Sequence, residues 1–243
     1  MTRTKMIAAL AVSAAAGFAT TAKADLIAYW NFTDFSANTF NSGQLGVLNS
    51  IAPAQGAGTL SIGGTPTMAF NTTTVATANG TVGAFAGTTV NGVVGEVNGG
   101  ALTVVGNTGG VGTVSTNGGW VQFEVDMTNF EDLVVSFATR GTGTGFNSGQ
   151  LSWSTDGALF TDFGATWAGN VSSFFAVSRD LSSITDIDNV STVFVRLTLG
   201  GATGASGNNR IDNVQFNATQ IPAPGALALL GLSGLVAARR RRA

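Results

Sequence analysis

The stretch Trp120-Val121-Gln122-Phe123-Glu124-Val125-Asp126-Met127 alternates at every position. In an extended chain successive side chains point to opposite faces. Val121, Phe123, Val125 and Met127 therefore share one face, and Trp120, Gln122, Glu124 and Asp126 share the other. A period of 3.6 would scatter both sets around a helix. The pattern predicts a strand with one face in a core and one in water.

Working outward, the period of two recurs. Leu133, Val135 and Phe137 repeat it, as do Val193, Val195, Leu197 and Leu199. Gln150 to Ser154 runs into Thr155-Asp156-Gly157, a hairpin signal, and Phe160 to Phe163 returns from it. Ser173 to Leu181 and Arg210 to Phe216 are read as further strands. Upstream, Leu26 to Phe32 is a first strand, and Thr33 to Ala57 is a turn-rich excursion. Thr59 to Phe70 has room for two short strands around Gly63-Gly64. Asn71 to Gly119 is rich in Gly, Thr and Asn, and predicts short strands such as Ala101–Val105 between long loops. The chain holds 34 glycines and 16 phenylalanines. Val, Thr and Phe suit a pleated surface, while Gly and Asn suit turns. Many short strands with no helix between them predict an all-β sandwich.

The two ends read differently. Arg3 and Lys5 precede an apolar, uncharged run from Met6 to Phe18, and Ala22-Lys23-Ala24 follows. Small residues at positions 22 and 24 suit a signal peptidase, with cleavage after Ala24. The run is too short to span a bilayer, which takes about 20 residues. At the other end Pro222-Ala223-Pro224 breaks any helix upstream. Ala226 to Ala238 is apolar, and Arg239, Arg240, Arg241 and Arg242 close it. Four arginines cross a membrane at high cost and stay on the cytoplasmic side. The domain plan is thus a signal peptide over 1–24, a sandwich over 25–220 (irregular to 119, regular over 120–217), and a tail over 221–243. Helices are expected in the two end segments, the second of them in the inner membrane.

This three-part tail resembles the PEP-CTERM sorting signal, in which Pro-Glu-Pro, an apolar helix and an Arg-rich end follow in order. Pro222 and Pro224 match the two prolines, while Ala223 stands where glutamate is usual. The resemblance implies an exosortase-type membrane transpeptidase as partner and delivery to the cell surface or extracellular matrix.

Seven of the eleven basic residues lie in the two ends. The body keeps Arg140, Arg179, Arg196 and Arg210 and all thirteen acids, so four against thirteen leaves it near −9. That charge argues against nucleic acid, which binds cationic surfaces. There is no cysteine for disulfides, and no histidine. Ser-His-Asp, Cys-His and histidine–zinc sites are excluded, and with no lysine in the body so are lysine bases.

Carboxylates remain. Glu124 and Asp126 stand two residues apart on one strand face, roughly 7 Å, a spacing that a glycosidase pair could use. Acids on the polar side of such a strand more commonly face water, and no catalytic residue is assigned. Gly141 to Gly145 lacks the lysine and following helix of a phosphate loop. Trp120, Trp153 and Trp167 are candidate platforms for sugar rings, with Trp120 and Trp153 read on the polar side of their strands. Ser154-Thr155-Asp156-Gly157 with Phe160, and the closing strand Arg210-Ile211-Asp212-Asn213-Val214, resemble the jelly-roll domains of secreted and carbohydrate-binding proteins. That resemblance implies a closing strand beside the first one. It also implies calcium near their junction, for which Asp212 with Asp34 or Asp25 would supply oxygens. Three functions follow as expectations: a non-catalytic surface or matrix protein, a calcium-assisted module binding extracellular polysaccharide, or a secreted glycan hydrolase or lyase.

Overall fold

The computed structural model describes residues 24–33, 51–64, 82–106 and 115–222. The strands in chain order are β1 (Ala24–Trp30), β2 (Gln55–Gly56), β3 (Thr59–Gly63), β4 (Val82–Ala86), β5 (Gly100–Val105) and β6 (Trp120–Val125). They continue with β7 (Phe130–Gly141), β8 (Ser148–Ser154), β9 (Thr161–Trp167), β10 (Phe175–Asp180), β11 (Val193–Gly200) and β12 (Asn208–Gln220). The one helical turn among the described residues is a 3-10 turn at Thr185–Ile187. No helix among them is long and apolar enough to cross a membrane. The helices expected at the ends fall on 1–23 and 223–243, outside the described residues, as do Ala22, Asp34, Ala223, Pro224 and Arg239 to Arg242.

Two antiparallel sheets form. One runs β3-β6-β11-β8-β9; the other runs β10-β7-β12-β1-β2, with β5 also on β12 and β4 outside β5. The strand at 120–125 lies inside the five-stranded sheet, between β3 and β11. β12 is long enough to serve two partners. Its first residues pair with β5 (Ile211 opposite Leu102), and its last pair with β1 (Val214 opposite Trp30). The closing strand therefore does lie beside the first. β4 and β5 fall in the stretch expected to hold short strands between loops.

The inner faces follow from the alternation. Val121, Phe123, Val125, Val193, Val195, Leu197 and Leu199 are buried from one sheet, and Trp30, Val135, Phe137, Val214 and Phe216 from the other. Trp30 meets Phe123 across the gap at 4.9 Å and Phe216 at 5.6 Å, both edge to face. Its indole N–H donates to the Ile51 carbonyl at 3.0 Å, so a large aromatic is buried with its polar atom satisfied. At one side Arg179 on β10 donates to the Ala165 carbonyl on β9, tying an edge of one sheet to an edge of the other.

Candidate functional site

The outer face of the five-stranded sheet carries Trp120, Gln122 and Glu124 from β6, with Phe194, Arg196 and Thr198 from β11. Arg196 stands directly opposite Gln122 on one neighbour and Ser152 on the other. Its guanidinium lies 4.1 Å from the Trp120 ring centre and 3.5 Å from that of Phe160. Its Nε donates to Gln122 Oε1 at 2.8 Å. Two rings and a glutamine fix this cation far more tightly than a lone surface arginine. Burial between them holds the guanidinium below its usual range.

Local chemistry sets the rings. Gly63 is paired with Trp120 across β3 and β6, and a Cβ there would collide with the indole. The absent side chain lets Trp120 lie over β3. Phe160 ends the β8–β9 loop. In that loop Asp156 Oδ1 accepts the amides of Ala158 and Leu159 at 2.8 and 2.9 Å, and Gly157 has φ +70°. The amides of Leu159 and Ala158 hold the Asp156 carboxyl below the usual range. The predicted hairpin signal is thus the device that delivers Phe160 over Arg196, a pairing that no spacing in the sequence announces.

The other two tryptophans do not join this face. Trp153 stands opposite Val195, a core residue, and packs partly buried against the core. It shares its strand face with Leu151, so its reading on the polar side is corrected. Trp167 is 6% exposed, 5.1 Å from Phe137, and lies over Gly149, where a Cβ would collide with it. A ring so covered cannot stack on a sugar. Glu124 accepts from Thr59 Oγ1 at 3.2 Å. Asp126 lies beyond the end of β6, exposed, and accepts the Thr128 amide at 2.8 Å. Hydrogen bonds from the Thr128 side chain and backbone hold it well ionised. The two do not face each other across a cleft.

A second polar cluster lies where β12 passes from β5 to β1. Asp212 is 1% exposed, and its oxygens accept the Thr88 amide at 2.7 Å and the Asn213 amide at 2.8 Å. Burial pushes its carboxyl up to about 8, against the pull of those two amides. Asn213, at φ +49°, donates to the carbonyls of Thr88 and Val90. Tyr29 Oη is 2.6 Å from Asn213 Oδ1 and 2.7 Å from Glu96 Oε2. Glu96 also accepts from Asn31 and Thr33. Burial raises the Glu96 carboxyl, but the bonds from Tyr29, Thr33 and Asn31 outweigh it and hold it low. The acid linked to this cluster through Tyr29 is Glu96, which sequence reasoning missed because it lies 116 positions from Asp212, in a loop. Asp25 is at the far end of β1, opposite Ala218, and is not brought to Asp212. Asp212 is not paired with Arg210 or Arg140 either. Among the described residues no three acids converge.

No family model matches the sequence, and no curated protein matches it. Among solved structures, the chain is similar to the CBM22-1 xylan-binding domain of Xyn10C from Paenibacillus barcinonensis. The TM-score is 0.41 at 10% identity, over 82% of this chain and 97% of that one. It is similar to the K2 cleaved adhesin domain of Lys-gingipain (0.43, 9%, 77% and 96%) and to the xylan-binding module CBM15 (0.38, 14%, 57% and 98%). None of these three reaches a TM-score of 0.5, and function has to be read from this chain's own side chains.

Proposed function

We propose that the protein is an exported, non-catalytic polysaccharide-binding module with a jelly-roll body, held at the cell surface by its tail. The observation that carries the binding reading is the Trp120–Arg196–Phe160 stack on the outer face of the five-stranded sheet. On the same face stand Gln122, Glu124 and Asp162, whose polar groups suit sugar hydroxyls. Rings give flat apolar area at low entropic cost, and a clamped arginine supplies directed donors. Such a face binds a chain of sugars without any acid–base machinery. The decisive measurement is calorimetric titration of neutral polysaccharides against the wild type and Arg196→Ala. Arg196→Ala is expected to weaken binding at least tenfold with the melting temperature little changed. Equal binding by the variant would remove the reading.

The delivery reading rests on Ala22, Ala24, Pro222, Ala223, Pro224 and the four terminal arginines. Signal peptidase acts at the first end. At the second, an exosortase-type transpeptidase acts while the tail sits in the inner membrane. Deleting 221–243 is expected to release a tagged protein from the surface into the medium. Unchanged surface retention would count against the tail as an anchor.

Calcium is proposed in altered form, at Glu96 beside Asn213 Oδ1, with Asp212 behind it occupied by the Thr88 and Asn213 amides. One feature of the cluster fits a cation. Tyr29 has a single hydroxyl proton and two acceptors within 2.7 Å, and Asn213 has its amide group committed to carbonyls. One of those oxygen pairs lacks a proton, and a cation beside Glu96 and Asn213 Oδ1 would relieve it. When bound, calcium would supply charge to the junction of β1, β5 and β12, and no catalytic step passes through it.

A further inference from the structure

Two of the four arginines of the body stand directly opposite each other, Arg140 on β7 and Arg210 on β12. Both are on the outer face of the seven-stranded sheet, since they alternate with core-facing Thr139 and Ile211. Like charges directly opposite on neighbouring strands are destabilising, and no acid side chain offsets them here. No carboxylate among the described residues bonds to either guanidinium. The acid nearest in sequence, Asp212, has both oxygens turned to the amides of Thr88 and Asn213. The partly buried Arg140 side chain makes no hydrogen bond among the described residues. Arg210 gives one N–H to the Ala86 carbonyl at 2.9 Å, while its Nε is buried without a partner. Phe174 lies 5.7 Å from the Arg140 guanidinium and Phe85 5.1 Å from that of Arg210. Burial, then the charge of Arg140, lowers the affinity of Arg210 for its proton.

We propose that Arg140 and Arg210 form an oxyanion site that takes the carboxylate of a uronic-acid sugar, flanked by Phe85 and Phe174. Paired planar guanidiniums match a planar carboxylate in forked geometry, and the two rings give apolar cover beside it. The site lies on the other sheet from the Trp120–Arg196–Phe160 stack and does not depend on that face binding anything. A body near −9 repels polyanions at long range. The attraction is therefore local, and a short acidic oligomer suffices.

The test uses the full chain and isothermal titration with a tri-uronate. A neutral trisaccharide and a sulfated trisaccharide run beside it. Binding of the tri-uronate is expected, weakened at least tenfold by Arg140→Gln and unaffected by Arg196→Ala. Without ligand, Arg140→Gln is expected to raise the melting temperature by about 1–3 °C, because it removes a like-charge pair. A merely structural arginine would give a fall. The proposal is overturned by no tri-uronate binding, by loss only in Arg196→Ala, or by a lowered melting temperature in Arg140→Gln. Preference for the sulfated sugar with the same Arg140 dependence would overturn the carboxylate assignment. Loss of neutral-glycan binding in Arg196→Ala with this site silent would leave only the other face standing.

Discussion

Trp120 and Trp30 show how one residue type takes opposite parts. Trp30 is in the middle of the inter-sheet cluster with Phe123 and Phe216. Its replacement by alanine is expected to cost about 3–5 kcal/mol and lower the melting temperature by roughly 10 °C. Trp120 is half exposed over Gly63, so Trp120→Ala is expected to spare the fold and reduce glycan binding. Gly63→Ala is a subtler probe. A methyl there displaces the indole without removing it, and binding should fall while circular dichroism is unchanged. Tyr29→Phe removes the hydroxyl that Glu96 and Asn213 share, and is expected to cost about 1–3 kcal/mol by thermal melt. Asp212 sets a pH dependence. Its folded pKa is raised toward 8 from an ordinary 3.8. Between those values the native state holds a proton that the unfolded chain has lost, so stability falls as pH rises through that window. Melts from pH 5 to 9 in calcium-free buffer should decline, and Asp212→Asn should flatten the decline. Glu96 acts with the opposite sign. Its carboxyl is held below the usual range, so its contribution is present at neutral pH and lost on acidification.

At the scale of elements, β12 is the organiser. It pairs with β7 along one side and with β5 and then β1 along the other, and Asp212-Asn213 lies at the handover. There the loop over 87–99 is laid across the sheet, held by Asp212 to Thr88, by Asn213 to Thr88 and Val90, and by Gln215 to Asn91. Asn213→Gly keeps the left-handed backbone and removes the clamp. Amide exchange is expected to speed up at 88–97 and to stay slow in β6 and β11. Equal protection in both forms would show that the clamp does not hold the loop. The alternation that predicted β6 and β11 was legible because each is flanked on both sides and buried on one face. Trp153 misled because Ser152 and Ser154 flank it, while its own face is set by Leu151, one period away. The strand predicted from Ser173 begins at Phe175.

For the whole molecule, charge and calcium are the levers. If the junction cluster takes calcium, adding it to the intact protein should raise the melting temperature by several degrees, and chelation should reverse the rise. An unchanged melt in both directions would remove calcium from the account. The body carries thirteen acids against four arginines, and three of those arginines are stacked on aromatic rings. The scarce cations are thus kept against rings.

The sequence by itself determined the strand periodicity, the all-β class and the acidic body, because these depend on local alternation and on composition. The proposed signals at both ends rest on it alone, because they are read linearly. Only the tertiary structure decided that Phe160 meets Arg196, that Tyr29 joins Glu96 to Asn213, and that Arg140 faces Arg210. Each of those depends on strand register between segments dozens of residues apart, and register is set by how two sheets close over a common core.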